Sequence, residues 1–172
     1  MDLKSSIAVV TGAGRGIGRQ AALALVQRCA GVALIDVDAG TLEETKAACE
    51  RLCSRVLPCR CNVVREEEVA TAFSQIGRDL GTATILFNNA GITRDALLLG
   101  LENGRVTRRM SLEQWQAVVD VNLTGVFLCG REAATQMVEA GKGGVIINVS
   151  TSRVRAMSVR RTMLPQRRAS PH

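Results

Sequence analysis

Five short aliphatic runs, separated by stretches of helical period, constrain this chain more than any other feature. The runs are Ile7-Ala8-Val9-Val10, Val32-Ala33-Leu34-Ile35, Val56-Leu57, Ile85-Leu86-Phe87 and Val145-Ile146-Ile147-Asn148-Val149. They show no polar alternation, so they read as strands covered on both faces. Helical spacing lies between them, over 17–29, 41–52, 66–76, and 111–121 continuing through 123–139. Thr41-Leu42-Glu43-Glu44 and Ser111-Leu112-Glu113-Gln114 both predict a capping box that opens a helix. The alternation predicts an α/β fold, a doubly wound parallel sheet with helices on both faces. Leu97–Met110 breaks the rhythm and reads as a solvated loop. Its place after the fourth strand puts it near the edge where such sheets take their ligands.

Composition narrows the class. The chain has 172 residues, 47% hydrophobic and 22% charged, which fits one globular domain and excludes a disordered chain. No apolar run approaches the roughly 18–20 residues that a membrane span needs. The first residues show no cleavage-site pattern, so a cytoplasmic protein without membrane partners is expected. The net charge of +6 has one source: beyond Ser152 lie Arg153, Arg155, Arg160, Arg161, Arg167 and Arg168, with no acid among them. Without these six the body is neutral. The tail, residues 151–172, has no aromatic residue and no helical period, so it reads as a basic, disordered appendage to a domain over 1–150. A nucleic-acid-binding arm is the weaker reading. Six cysteines without framework spacing read as buried reduced thiols, and their CxxxC and CxC spacings fit no common zinc module. No metal is expected.

Thr11-Gly12-Ala13-Gly14-Arg15-Gly16-Ile17-Gly18 ends the first strand and opens the first helix. Glycines there make the tight turn, let backbone approach a pyrophosphate, and let helix and strand pack closely. The N–H groups at the helix start then hold negative charge. Asp36 ends the second run, 18 residues beyond Gly18. A carboxylate at that place accepts hydrogen bonds from a ribose 2′-hydroxyl and repels a 2′-phosphate.

The spacing Thr-Gly-x-x-x-Gly-x-Gly resembles the short-chain dehydrogenase/reductase family, and further segments match that family in order. Cys61-Asn62-Val63 follows the third strand, Asn88-Asn89-Ala90-Gly91 the fourth. Val121-Asn122-Leu123 lies in the following helix, and Ile147-Asn148-Val149-Ser150 ends the fifth strand. Asn62 and Gly91-Ile92-Thr93-Arg94-Asp95 are most similar to the ketoacyl-carrier-protein reductase branch. The resemblance implies a Rossmann-type fold and an NAD(P)-dependent oxidoreductase acting on a small carbonyl or alcohol substrate. It implies Gly12, Gly14, Arg15, Gly16, Ile17, Gly18, Asp36, Asn62, Val63, Asn89, Ala90 and Gly91 at the cofactor, and Asn122 and Ser150 at the reacting carbon. Asp36 favours NAD. Arg15 sits where NADP-using relatives often carry a basic residue, so NADP is the alternative.

The family also needs a Tyr-x-x-x-Lys helix, and this sequence contains no tyrosine and no lysine after Lys142. The tyrosine is the proton donor, its phenolate favoured by the nearby ammonium. Back-translation of Thr151–Ala169 in a shifted frame spells a long stretch similar to the family's next segment, Tyr-x-x-x-Lys included. A frameshift after Val149 is therefore expected, with a sheet truncated after its fifth strand and that strand left as an open edge. The chain reads as an oxidoreductase by descent, inactive as written, with a non-catalytic dinucleotide-binding module as the alternative. Relatives form homo-oligomers, and part of that interface is expected to be missing here.

Overall fold

The computed structural model describes residues 2–52, 55–93 and 97–150. Chain order runs β1 (Ile7–Thr11), α1 (Gly16–Val26), β2 (Gly31–Asp36), α2 (Ala39–Glu50), β3 (Val56–Arg60), α3 (Glu66–Asp79) and β4 (Ala83–Asn88). Then come β5 (Leu99–Glu102), β6 (Arg105–Arg109), α4 (Leu112–Val119), α5 (Gly125–Glu139) and β7 (Val145–Asn148). Five strands form one parallel sheet in the order β3-β2-β1-β4-β7. The doubly wound α/β architecture read from the five runs is present.

Alternation along the central strands divides the core between two faces. Ile7 and Val9 of β1, with Ala33 and Ile35 of β2, pack on the side of α3 and α5, where Phe73, Ile76 and Leu128 complete the cluster. Ala8 and Val10, with Val32 and Leu34, face α1 and α2, meeting Ala22, Val26 and Leu42. Buried positions on α3 (Val69, Ala72, Phe73, Ile76) repeat at helical spacing, so that one stripe meets the sheet. Its first turn carries Glu66, Glu67 and Glu68 against the positive end of the helix dipole.

Four features depart from the sequence reading. The capping box at Thr41 does not form; Asp38 caps α2, its Oδ1 accepting from the N–H groups of Gly40 (2.9 Å) and Thr41 (3.2 Å), so the helix starts earlier. The box at Ser111 does form, with both reciprocal bonds. The helix running from Leu112 to Glu139 is interrupted by a wide turn over Asp120–Thr124. Coverage on both faces holds for β1 and β2 but not at the margins. β3 is half-buried, and β7 is exposed along its length, pairing only with β4 among the described residues. Finally, the loop expected over Leu97–Met110 is an antiparallel hairpin of β5 and β6. Asn103 and Gly104 carry positive φ (49° and 76°). That pairing of left-handed residues matches the right-handed strand twist, and Asn-Gly is the strongest short-range signal for it. Residues 151–172, read as a basic disordered tail, lie outside the described residues.

Cys29, Cys49, Cys59, Cys61 and Cys129 are buried and unbridged, as reduced core thiols would be. Burial pushes the Cys59 thiol up to about 11 and those of Cys61 and Cys129 up to about 12, with nearby carboxylates adding to the effect. The neutral thiol is thus favoured by folding. The stabilisation is complete below the ordinary value of 9.0 and is lost as pH rises above it. Urea midpoints are expected to fall steadily on the alkaline side of that value. A thiol reagent at neutral pH is expected to label these five cysteines only at the rate of unfolding.

Candidate dinucleotide site

Parallel strands bring the carboxyl ends of β1, β2, β3 and β4 to one edge of the sheet, and four loops converge there. One buried hydroxyl joins two of them. Thr11, the last residue of β1 and 1% exposed, accepts at Oγ1 from the N–H groups of Asn89 and Ala90, each at 3.0 Å. Asn89 returns the contact, its Nδ2 donating to the carbonyls of Thr11 (3.2 Å) and Gly12 (3.3 Å). The glycine turn after β1 is therefore sewn to the turn after β4. Gly12 has φ of +64°, and a Cβ there would lie 2.9 Å from the Ala90 Cα. A Cβ on Gly18 would strike the Gly12 carbonyl oxygen and approach Asn89 Nδ2 to 2.7 Å. These positions require glycine so that three backbones can meet.

The end of β2 braces the same turn from the other side. Asp36 Oδ2 accepts from the Gly14 N–H at 2.8 Å and Oδ1 from the Asp38 N–H at 3.1 Å. Thr45, fully buried on α2, donates its hydroxyl to the Gly14 carbonyl at 3.0 Å. Arg15 stands at the cap position of α1 in extended conformation and makes no side-chain cap. The first N–H groups of α1 thus have no side-chain acceptor, the state in which a helix start accepts an anion.

These loops enclose a cleft of about 320 Å³. Of the residues expected at the cofactor, Gly12, Arg15, Asp36, Asn62, Val63, Asn89, Ala90 and Gly91 line it, with Val37, Cys61, Ile92 and Val121 beside them. Gly16 and Ile17 line a shallower recess that shares Arg15, while Gly14 and Gly18 sit behind the wall as its close contacts. The Asn62 N–H donates to Glu68 Oε2 at 2.8 Å. Val63 packs where a Cβ on Gly125 would lie 2.8 Å from its Cγ2, which fixes the start of α5 beneath the cleft.

The two residues expected at the reacting carbon lie outside this lining. Asn122 occupies the wide turn between α4 and α5, and its amide closes on one backbone unit. Oδ1 accepts from the Ile92 N–H at 2.8 Å, and Nδ2 donates to the Ile92 carbonyl at 3.0 Å. Ser150 is exposed just beyond β7. The preceding Val149 N–H donates to the Asn88 carbonyl at 2.9 Å, and Asn88 Nδ2 donates to Asn148 Oδ1 at 3.0 Å and to the Val126 carbonyl at 3.3 Å. No hydrogen bond joins Ser150 to Asn122 among the described residues.

Sequence reasoning missed the supporting groups. Thr11 and Asn88 stood inside the motifs but were assigned nothing, and Thr45 and Glu68 reach the site from helices whose spacing carries no such signal. Thr11→Val is expected to leave the Asn89 and Ala90 donors without their acceptor. The cost is about 1–3 kcal/mol, read as a lower urea midpoint, with Thr11→Ser retaining most of the stability.

Known proteins resemble this chain in sequence and in fold. The sequence profile of the short chain dehydrogenase family matches residues 6–162. The 3-oxoacyl-[acyl-carrier-protein] reductase of Synechocystis sp. is 38% identical over 151 residues, which are 87% of this chain and 57% of that protein. The enzyme of that name from Thermotoga maritima is 34% identical over 151 residues, 88% of this chain and 57% of its own. The chain thus spans little more than half the length of these relatives. Among solved structures, a short-chain type dehydrogenase/reductase from Mycobacterium marinum superposes with a TM-score of 0.78 at 31% identity, covering 92% of this chain and 61% of that one. A putative short-chain alcohol dehydrogenase from Sinorhizobium meliloti gives 0.71 at 34% identity, covering 84% and 54%. With nearly its whole length matched, from the strand before the glycine turn to beyond Ser150, this chain belongs to the short chain dehydrogenase family.

Proposed function

We propose that this chain binds a nicotinamide dinucleotide across the carboxyl ends of β1–β4 and derives from enzymes that reduce a 3-oxoacyl thioester. The observation that carries the reading is the bond from the Gly14 N–H to Asp36 Oδ2. It couples the carboxylate suited to a ribose 2′-hydroxyl directly to the loop suited to the pyrophosphate. The residues fit the group. Glycines let the turn pack closely on its neighbours, Gly16 has open space where a Cβ would stand, and the start of α1, which carries no side-chain cap, would meet the phosphates. Gly12, Gly14, Gly16, Ile17 and Gly18 would hold the pyrophosphate, Asp36 the adenosine ribose, Asn62 and Val63 the adenine. Asn89, Ala90 and Gly91 would border the nicotinamide half. NAD is the favoured form, because a 2′-phosphate would meet the Asp36 carboxylate; Arg15 supports NADP as the alternative.

When bound, the nicotinamide supplies or removes a hydride at the substrate carbon. The chain's own share is to place that carbon and to deliver a proton to the oxygen it turns into an alkoxide. Ser150 is suited to hydrogen-bond that oxygen. Asn122 holds the Ile92 backbone beside the cleft; the lysine that it would position on the family pattern is absent from this sequence. The proton donor itself is missing, since the sequence has no tyrosine. Loss of a positioned general acid costs about 10²–10⁴-fold in rate. Turnover by the chain as written is therefore expected to be negligible, and the same lack favours a second reading, a dinucleotide-binding module without catalysis.

Isothermal titration is expected to give NADH binding weaker than micromolar, with no consumption of NADH when a 3-oxoacyl thioester is added. Gly18→Ala is expected to abolish the binding. Asp36→Asn is expected to lower the preference for NADH over NADPH at least tenfold. Micromolar binding accompanied by turnover would overturn the reading. The coding DNA over residues 149–172 tests the cause: codons unable to spell Tyr-x-x-x-Lys in the shifted frame would exclude a frameshift. Joining residues 1–149 to an intact family C-terminus separates the two readings, since only the first expects hydride transfer to return.

A further inference from the structure

Asn62 stands where the cleft passes from the end of β2 to the end of β3, and its polar groups are unevenly committed. The Cys61 N–H donates to the Asp36 carbonyl at 2.9 Å, which ties the turn after β3 to the strand end that carries the Asp36 carboxylate. The Asn62 N–H donates to Glu68 Oε2 at 2.8 Å, and Glu68 Oε1 faces Arg65 Nε at 3.4 Å. The Asn62 carbonyl accepts from the Arg65 N–H at 2.9 Å. Oδ1 accepts from the Val64 N–H at 3.3 Å. This last bond sets the sense of the amide, because an NH2 group in the same place would meet a second donor. Nδ2 is left as the one polar group of Asn62 without a partner among the described residues, and the neighbouring Val63 N–H has none there either.

The strand order β3-β2-β1 gives these loops a direction. A dinucleotide with its pyrophosphate at the glycine turn after β1 and its ribose at Asp36 carries its base onward to the turn after β3. Purines differ there in one group. Adenine has an amino donor at C6, where guanine and hypoxanthine have an oxygen acceptor, and all three keep an acceptor at N7. A carboxylate at position 62 would offer acceptors only, selecting the amino group and repelling the oxygen. An amide held as this one is offers a free donor, while its acceptor is partly spent on Val64.

We infer that Asn62 sets the base selectivity of the cleft, and that it admits a dinucleotide with a 6-oxopurine base at least as readily as one with adenine. The inference rests on the dinucleotide reading above and adds to it which base edge is accepted. Nδ2 and the Val63 N–H are two donors in adjacent residues, and a 6-oxopurine supplies two acceptors, O6 and N7, to meet them. Adenine supplies one acceptor on that edge and brings a further donor, which has only the remaining lone pair of Oδ1 to meet. Asp36 and the glycine turn answer to the ribose and the phosphates, so exchange of the base leaves their share of the binding unchanged.

Isothermal titration of the whole chain with NADH and with reduced nicotinamide hypoxanthine dinucleotide, each up to millimolar concentration, tests the inference. The expected result is that the hypoxanthine form binds as tightly as NADH or more tightly. In Asn62→Asp, which keeps an acceptor for the Val64 N–H, the order is expected to reverse, with NADH favoured about tenfold. Should that variant fail to fold, Asn62→Ala is expected to weaken the hypoxanthine form about fivefold and NADH by less. NADH bound more than about threefold tighter than the hypoxanthine form by the unmodified chain overturns the inference. So does a ratio of the two affinities that stays the same in the substituted chain. Both of these outcomes leave the dinucleotide reading standing, whereas binding of neither form overturns that reading and the inference with it.

Discussion

A single buried hydroxyl sets the position of the whole ligand edge. Thr11 Oγ1 collects the N–H groups of Asn89 and Ala90, and with the Asn89 amide it ties together two loops that lie far apart in sequence. Backbone N–H groups buried near a sheet end must find acceptors, and here the acceptor is a side chain rather than a neighbouring strand. The Asn89 amide then occupies the carbonyls of Thr11 and Gly12, which explains why the glycine turn tolerates no Cβ on its inner side. Asp36 closes the arrangement from β2. The walls of the cleft therefore hold one another in place through these bonds.

The central architecture was legible because its signals are local. Short aliphatic runs and helical periods are properties of neighbouring residues, and the two core faces follow from strict alternation along β1 and β2. Errors arose where local signals compete. Thr41 carries the pattern of a capping residue, yet Asp38 lies three positions earlier with a better acceptor, and its carboxylate wins both N–H groups. In the hairpin the opposite happened. Asn103-Gly104 is a strong turn signal, but β5 is only four residues long and β6 is arginine-rich and exposed throughout, so the pair lacks the buried alternation that normally marks a ribbon. The glycine turn and Asp36 could be read from spacing. Thr45 and Glu68 could not, since each reaches the site through tertiary placement of a helix whose own sequence is ordinary.

Asn122 shows how one residue serves both fold and site. A regular helix through Asp120–Thr124 would place every side chain on the usual spiral. The wide turn there instead presents the Asn122 amide to Ile92, donor to carbonyl and acceptor to N–H. Such turns cost regular hydrogen bonding and persist where something else depends on them. Here the dependent element is the segment that leaves the cleft and leads to the hairpin.

Binding and chemistry are physically separable in this chain. The groups proposed to hold a dinucleotide all come from the loops after β1–β4, which brace one another through Thr11, Asp36 and Asn89. The groups proposed for proton transfer depend on the residues C-terminal to β7. On that proposal, a sequence change beyond Ser150 would remove the acid and leave the described hydrogen bonds that shape the cleft in place. Among the described residues, the element nearest to that change is β7, whose Asn148 is tied to Asn88 at the end of β4. The link is a ladder of four residue pairs between β4 and β7, extended by the Val149 N–H on the Asn88 carbonyl and by that side-chain bond, at the margin of a sheet whose β1 and β2 share five pairs. On the proposal above, a chain of this design would keep the form of a dinucleotide site without the means to use one.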